Sequence, residues 1–143
     1  MITSMNHTGF VVRDLGKAEA FYRDVLGLKV TARRVRQGAP ISQIVGYEGA
    51  HLSIVIMSLG DGHDLELIQY VNPPAEERPT EERGVLGATH LAFIVDDIQG
   101  TFQALVSGGA KKLNPPTEVE PGKTACYLQD PDGNWIELLE IKA

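Results

Sequence analysis

"DGHDLELIQY" at residues 61–70 and "DGNWIELLEI" at residues 132–141 align without a gap at an offset of 71 residues. Each opens on an Asp-Gly turn and runs into an apolar strand. Each also places a carboxylate inside that strand, Glu66 between Leu65 and Leu67 and Glu137 between Ile136 and Leu138. A carboxylate in such a run is costly unless it is solvated, paired with a cation or bound to a metal. A second match, "HTGFVVRDL" (7–15) with "HLAFIVDDI" (90–98), repeats at an offset of 83 and sets His7 against His90, Phe10 against Phe93 and Asp14 against Asp97. The chain is therefore read as two copies of one module, the first longer by 12 residues, and a repeat of this kind constrains the fold before any single element is assigned.

Each copy begins with an alternating strand that ends in an aspartate, a residue suited to cap the helix that follows. In the first copy Leu15, Ala18, Phe21, Tyr22 and Val25 form one apolar stripe closed by Gly27; in the second, Asp96 or Asp97 precedes Ile98, Phe102, Leu105 and Val106, closed by Gly108-Gly109. Three strands follow in each: "LKVTARRV", "HLSIVIMSL" and "DLELIQYV", then "KKLNP", "TACYLQD" and "WIELLEIK". The extra residues of the first copy include "PISQIVGY", with Ile41, Ile44 and Val45 at helical spacing. The expected class is α+β, two βαβββ modules in tandem (1–72 and 88–143) joined by a polar, proline-containing linker (73–87) and paired as a single domain over residues 1–143.

The net charge of −6 disfavours nucleic acid and anionic membrane as partners and leaves a small-molecule substrate. The lone Cys126 excludes an intrachain disulfide framework and reads as an ordinary strand residue. With no long apolar run and no charged-then-apolar leader, a soluble cytoplasmic protein is expected.

Strand parity sorts the candidate site, because residues i and i+2 share a face. Phe10 and Val12, with Phe93 and Val95, suit the helix-covered face, so His7 and His90 point the other way. Leu65 and Leu67, with Ile136 and Leu138, likewise take the helix side, which puts Glu66 and Glu137 on the histidines' side. If the modules pair across these open faces, His7, Glu66, His90 and Glu137 converge as a mixed N/O set suited to a divalent metal; Ni, Co, Zn, Mn and Fe all fit. His51 and His63 have no repeat partner and read as structural or surface residues. Parity also suggests a mostly apolar substrate pocket of Val11, Ser53, Val55, Met57, Ile68, Tyr70, Ile94 and Leu139.

"FYRDVLG" (21–27) and "DPDGNWIEL" (130–138), with the two His-led strands, resemble the vicinal oxygen chelate superfamily of glyoxalases, bleomycin-resistance proteins and extradiol dioxygenases. The pattern is similar to glyoxalase I and methylmalonyl-CoA epimerase-like members. The resemblance implies an eight-stranded, partly open barrel, often completed by a homodimer, with His7, Glu66, His90 and Glu137 at the metal-ligand positions. It implies a lyase, isomerase or epimerase that abstracts a proton beside a carbonyl, with Glu137, then Glu66, as catalytic bases and a metal-stabilised enolate. An extradiol-type dioxygenase and a non-catalytic small-molecule or antibiotic-binding resistance protein are the alternatives. Val11 and Tyr70 stand where glyoxalase I proteins carry the arginine and asparagine that meet glutathione, so glutathione is not implied.

Overall fold

In the computed structural model, which describes residues 1–142, the chain forms two compact units, Met1–Glu77 and the chain from Arg78 onward. The first contains β1 (His7–Val11), α1 (Leu15–Asp24), β2 (Lys29–Gln37), α2 (Ala39–Val45), β3 (His51–Ser58) and β4 (Asp64–Asn72). The second contains β5 (His90–Ile94), α3 (Ile98–Ser107), β6 (Lys111–Lys112), β7 (Thr117–Glu120), β8 (Lys123–Gln129) and β9 (Trp135–Ile141). Both sheets follow one plan. The order β1-β4-β3-β2 has a parallel β1–β4 pair and antiparallel neighbours beyond it, and β5-β9-β8 repeats this with β6 and β7 both paired to β8. The expected α+β pair of βαβββ modules is therefore present. The counterpart of β2 is broken in two at Asn114-Pro115-Pro116, because proline cannot donate to the ladder.

The aspartates cap as their positions require. Asp14 accepts from the Lys17 amide at 3.0 Å and Asp97 from the Gly100 amide at 2.9 Å, so Asp97 rather than Asp96 starts α3. The helix faces bury what the stripes foretold: Phe10, Val12, Phe21 and Tyr22 in the first unit, with the Phe10 and Tyr22 rings 6.4 Å apart, and Phe93, Ile98, Phe102 and Leu105 in the second. Leu67, Leu128, Ile136 and Leu138 have no exposed surface, and burying a side chain of this size stabilises by about 1.5–3 kcal/mol. Arg33 of β2 ties α1 to its sheet through a two-point contact with Glu19, at 2.6 and 3.1 Å.

The insert of the first module forms α2, which lies on the sheet face opposite α1. Ile41 and Val45 pack there on a buried cluster of Ala50, Leu52 and Ile54. In the second unit, residues 78–87 are held to the sheet: the Trp135 indole N–H donates to the Glu81 carbonyl at 3.2 Å, and the Arg83 guanidinium lies over the indole ring, 4.6 Å from its centroid. Among the described residues no helix is long and apolar enough to cross a membrane.

Candidate functional site

In each unit the two edge-proximal parallel strands bring one imidazole to one carboxylate. His7 and Glu66 lie on β1 and β4, whose register pairs Gly9 with Glu66; His90 and Glu137 lie on β5 and β9, whose register pairs Ala92 with Glu137. His7 Nε2 is 3.3 Å from Glu66 Oε2, and His90 Nε2 is 3.1 Å from Glu137 Oε2. Exposure matches as well: each imidazole is 45% exposed, and the carboxylates are 19% and 17% exposed.

The His7 ring is oriented by Asn6, whose Oδ1 accepts from Nδ1 at 2.7 Å. With Nδ1 turned to Asn6, the ring presents Nε2 to Glu66. An imidazole nitrogen and a carboxylate oxygen facing each other at this distance can share a proton or a cation, so the donor set fits a metal ion. Each pair supplies two such donors, and among the described residues no three His, Cys, Asp or Glu side chains come together in one metal-holding group.

The surroundings of the two glutamates differ. Register pairs Glu137 with Tyr127 on β8, whereas at the repeat-equivalent place Glu66 is paired with Ile56 on β3. The Tyr127 hydroxyl lies 3.4 Å from His90 Nε2, and its ring meets the imidazole edge-on at 5.1 Å between centroids. Burial, then the negative charge of Glu137, raise the Tyr127 pKa above its ordinary value, and the nearby Arg83 charge partly opposes this. The phenol is therefore held in its protonated, donating form. Sequence parity missed Tyr127, although the hairpin through Asp130-Pro131-Asp132-Gly133 fixes it opposite Glu137.

The eight pocket residues read from parity divide. Val11, Ile68 and Tyr70 share Glu66's face, and Tyr70 meets Tyr47 edge-on at 6.0 Å. Ile94 and Leu139 pair with each other on Glu137's face. Ser53, Val55 and Met57 do not join them, because they pair with Gln69, Leu67 and Leu65 on the face that α1 covers, and Val55 and Met57 are buried there. Ile54 and Ile56 take their place on Glu66's face, where α2 packs on the cluster that buries Ile54. Of the unrepeated histidines, His63 is tied by Nε2 to the Thr8 hydroxyl at 2.9 Å, a structural role.

Two cavities flank Tyr127. One, of about 430 Å³, is bordered by Glu137 and Leu139 and extends to Leu113, Val119 and Ala125; the other, of about 260 Å³, is lined by His90, Trp135 and Arg83. Cys126 lies on the next ladder position and is buried, which pushes its thiol up to about 11 from an ordinary 9.0. Native protein at pH 8 should accordingly resist iodoacetamide and be alkylated only after unfolding; rapid native labelling, followed by mass spectrometry, would contradict this placement. Between pH 9 and 11 the unfolded chain loses this proton and the folded chain keeps it, so the thiol lowers stability as pH rises through that window.

The model of the Glyoxalase/Bleomycin resistance protein/Dioxygenase superfamily matches residues 4–138, and the chain belongs to that superfamily. Its relatives include lactoylglutathione lyase of Haemophilus influenzae, 28% identical over 96% of this chain and 92% of that protein. They also include a 2-epi-5-epi-valiolone epimerase from Actinomyces, 26% identical over 98% of this chain and 80% of that protein. The crystal structure of a glyoxalase family protein from Bacillus cereus superposes with a TM-score of 0.91 at 25% identity, covering 100% of this chain and 97% of that one.

Proposed function

We propose that the protein is a metal-dependent lyase, isomerase or epimerase that removes a proton beside a substrate carbonyl. His7, Glu66, His90 and Glu137 together hold one divalent ion, Ni, Co, Zn, Mn or Fe, and the two modules act as one domain. The observation that carries this reading is the doubled His–Glu pair: the same two donor atoms face each other at 3.3 and 3.1 Å at repeat-equivalent positions. Lyase and epimerase relatives support the reaction class.

When bound, the ion supplies Lewis-acid stabilisation of the negative charge that develops on vicinal substrate oxygens. Glu137 accepts the α-proton at its carboxylate. Tyr127 donates its hydroxyl hydrogen toward that carboxylate or toward a substrate oxygen, which keeps the base oriented. Glu66, the repeat counterpart, delivers from the other side a proton it takes from solvent water, and Glu137 gives the proton it accepted back to solvent before the next turnover. The apolar flanks, Ile56 and Ile68 around Glu66 and Leu139 beside Glu137, limit water at the reacting carbon.

Metal titration tests the proposal. Protein purified without added metal should take up an equimolar divalent ion, and His90→Ala or Glu66→Ala should weaken that uptake by at least about tenfold, since a lost ligand costs no less than a lost outer-shell partner. Iron accompanied by oxygen uptake would redirect the assignment to a dioxygenase. Failure to bind any of the five metals would leave the small-molecule-binding reading instead. A screen of α-hydroxy ketones, 2-oxoaldehyde adducts, acyl-CoA thioesters and catechols on the loaded protein supplies the substrate.

A further inference from the structure

We infer that the substrate carries an uncharged apolar arm seated over β7 and β8 of the second module, an inference that rests on the metal-centre reading for the position of the reacting head. The repeat itself says what belongs there. At the 71-residue offset, Ile54 and Ile68 of the first module correspond to Ala125 and Leu139 of the second, and both pairs are in register across their ladders. On the first pair, α2 sets the branched aliphatic chains of Ile41 and Val45 against the cluster that holds Ile54. The second module lacks this insert, and on the matching surface lies the cavity of about 430 Å³, a volume within the range of small-molecule sites.

The lining suits the same kind of occupant that α2 provides. Leu113 and Val119 are 40% and 61% exposed, large apolar side chains with little of the molecule covering them. Ala125 leaves room where Ile54 fills it, and Pro115 closes one side. The one cation on the wall, Lys123, is 3.2 Å from Glu120 and so already has its counter-charge. Glu137 and Tyr127 stand at the border of this cavity, which places a chelating head beside them and an arm along β7 and β8. A charged tail has a different place to go, the smaller cavity under Arg83.

Three hydroxamates, each offering the same pair of vicinal oxygens, test the assignment on cobalt-loaded protein through the cobalt visible spectrum: acetohydroxamate, hexanohydroxamate and the carboxylate-bearing succinic monohydroxamate. A buried methylene is worth about fourfold in affinity. Hexanohydroxamate should therefore bind at least about tenfold tighter than acetohydroxamate, and succinic monohydroxamate should show no such gain. Ala125→Phe, which fills the cavity, should bring the hexano-to-aceto ratio toward unity. Val119→Asp, at an exposed position that the fold tolerates, should do the same by placing a charge on the wall. A flat ratio in the parent protein, a ratio unmoved in both variants, or a preference for the carboxylate that Arg83→Gln removes would each overturn the apolar arm. Cobalt that binds with a flat ratio defeats this inference alone, whereas cobalt that does not bind defeats the metal-centre reading and this inference with it.

Discussion

Glu137→Gln should retain the fold and lose exchange of the substrate α-proton with solvent deuterium. The two side chains are nearly the same shape, so contacts with β8 persist, but the amide is neutral and does not accept a proton at working pH. Positioned general bases contribute about 10²–10⁴ in rate, and a loss near the upper end is expected because Glu137 is 17% exposed and little water can substitute for it. The measurement is the decay of the α-proton NMR signal in D₂O, with metal saturating and its content verified by elemental analysis, so that weakened ligation is not mistaken for lost basicity. Exchange at the parent rate would remove Glu137 from the role of base. Glu66→Gln separates the reactions: an epimerase should keep exchange from one stereoisomer and lose conversion to the other.

Asp130→Ala should cost about 3 kcal/mol of folding stability. Asp130 is 1% exposed, and its carboxylate fixes the turn into β9: Oδ1 accepts from the amides of Asp132 and Asn134 at 2.9 and 2.8 Å, and Oδ2 from the Asn134 side-chain amide at 2.9 Å. Alanine leaves those donors in a tight turn without their acceptor, and hydrogen bonds to a charged group are the costly ones to lose. The same turn needs Gly133 at φ +92°, a conformation that residues with a Cβ rarely adopt. Urea unfolding followed by Trp135 fluorescence reads the effect, since this lone tryptophan sits one residue beyond the turn under Arg83. A shift under about 1 kcal/mol, the worth of one ordinary hydrogen bond, would mean that the turn is held by other contacts.

Much of this arrangement was legible in the sequence because the repeat is ungapped where it matters. His7 and Gly9 alternate with Phe10 and Val12, and His90 and Ala92 with Phe93 and Val95, while Glu66 and Glu137 each stand between two large apolar residues, so parity separates the faces there. It fails on β3, where Leu52, Ile54, Val55, Ile56 and Met57 are apolar in both parities. That strand is covered by α1 on one side and α2 on the other, and a strand buried on both faces carries no alternation to read. Ser53, the single polar residue in that run, pairs with Gln69 on the face that α1 covers. Tyr127 went unnoticed for a different reason: its importance lies in the partner it faces across the ladder, which depends on hairpin register rather than on its own neighbours. The break at Asn114-Pro115-Pro116 could have been read from the prolines alone.

The difference between Tyr127 and Ile56 has a meaning beyond either residue. In a dimer of identical single modules every substitution appears on both sides of the twofold axis, so a phenol gained by one glutamate is gained by both. Once two copies share a chain, each can drift alone. Position 127 carries a hydroxyl where position 56 carries a hydrocarbon, and position 125 is small where position 54 is branched and large. The two repeat-equivalent carboxylates of this chain thus stand in different surroundings, one beside a phenol and one beside a hydrocarbon, an inequality that a twofold axis between identical chains forbids.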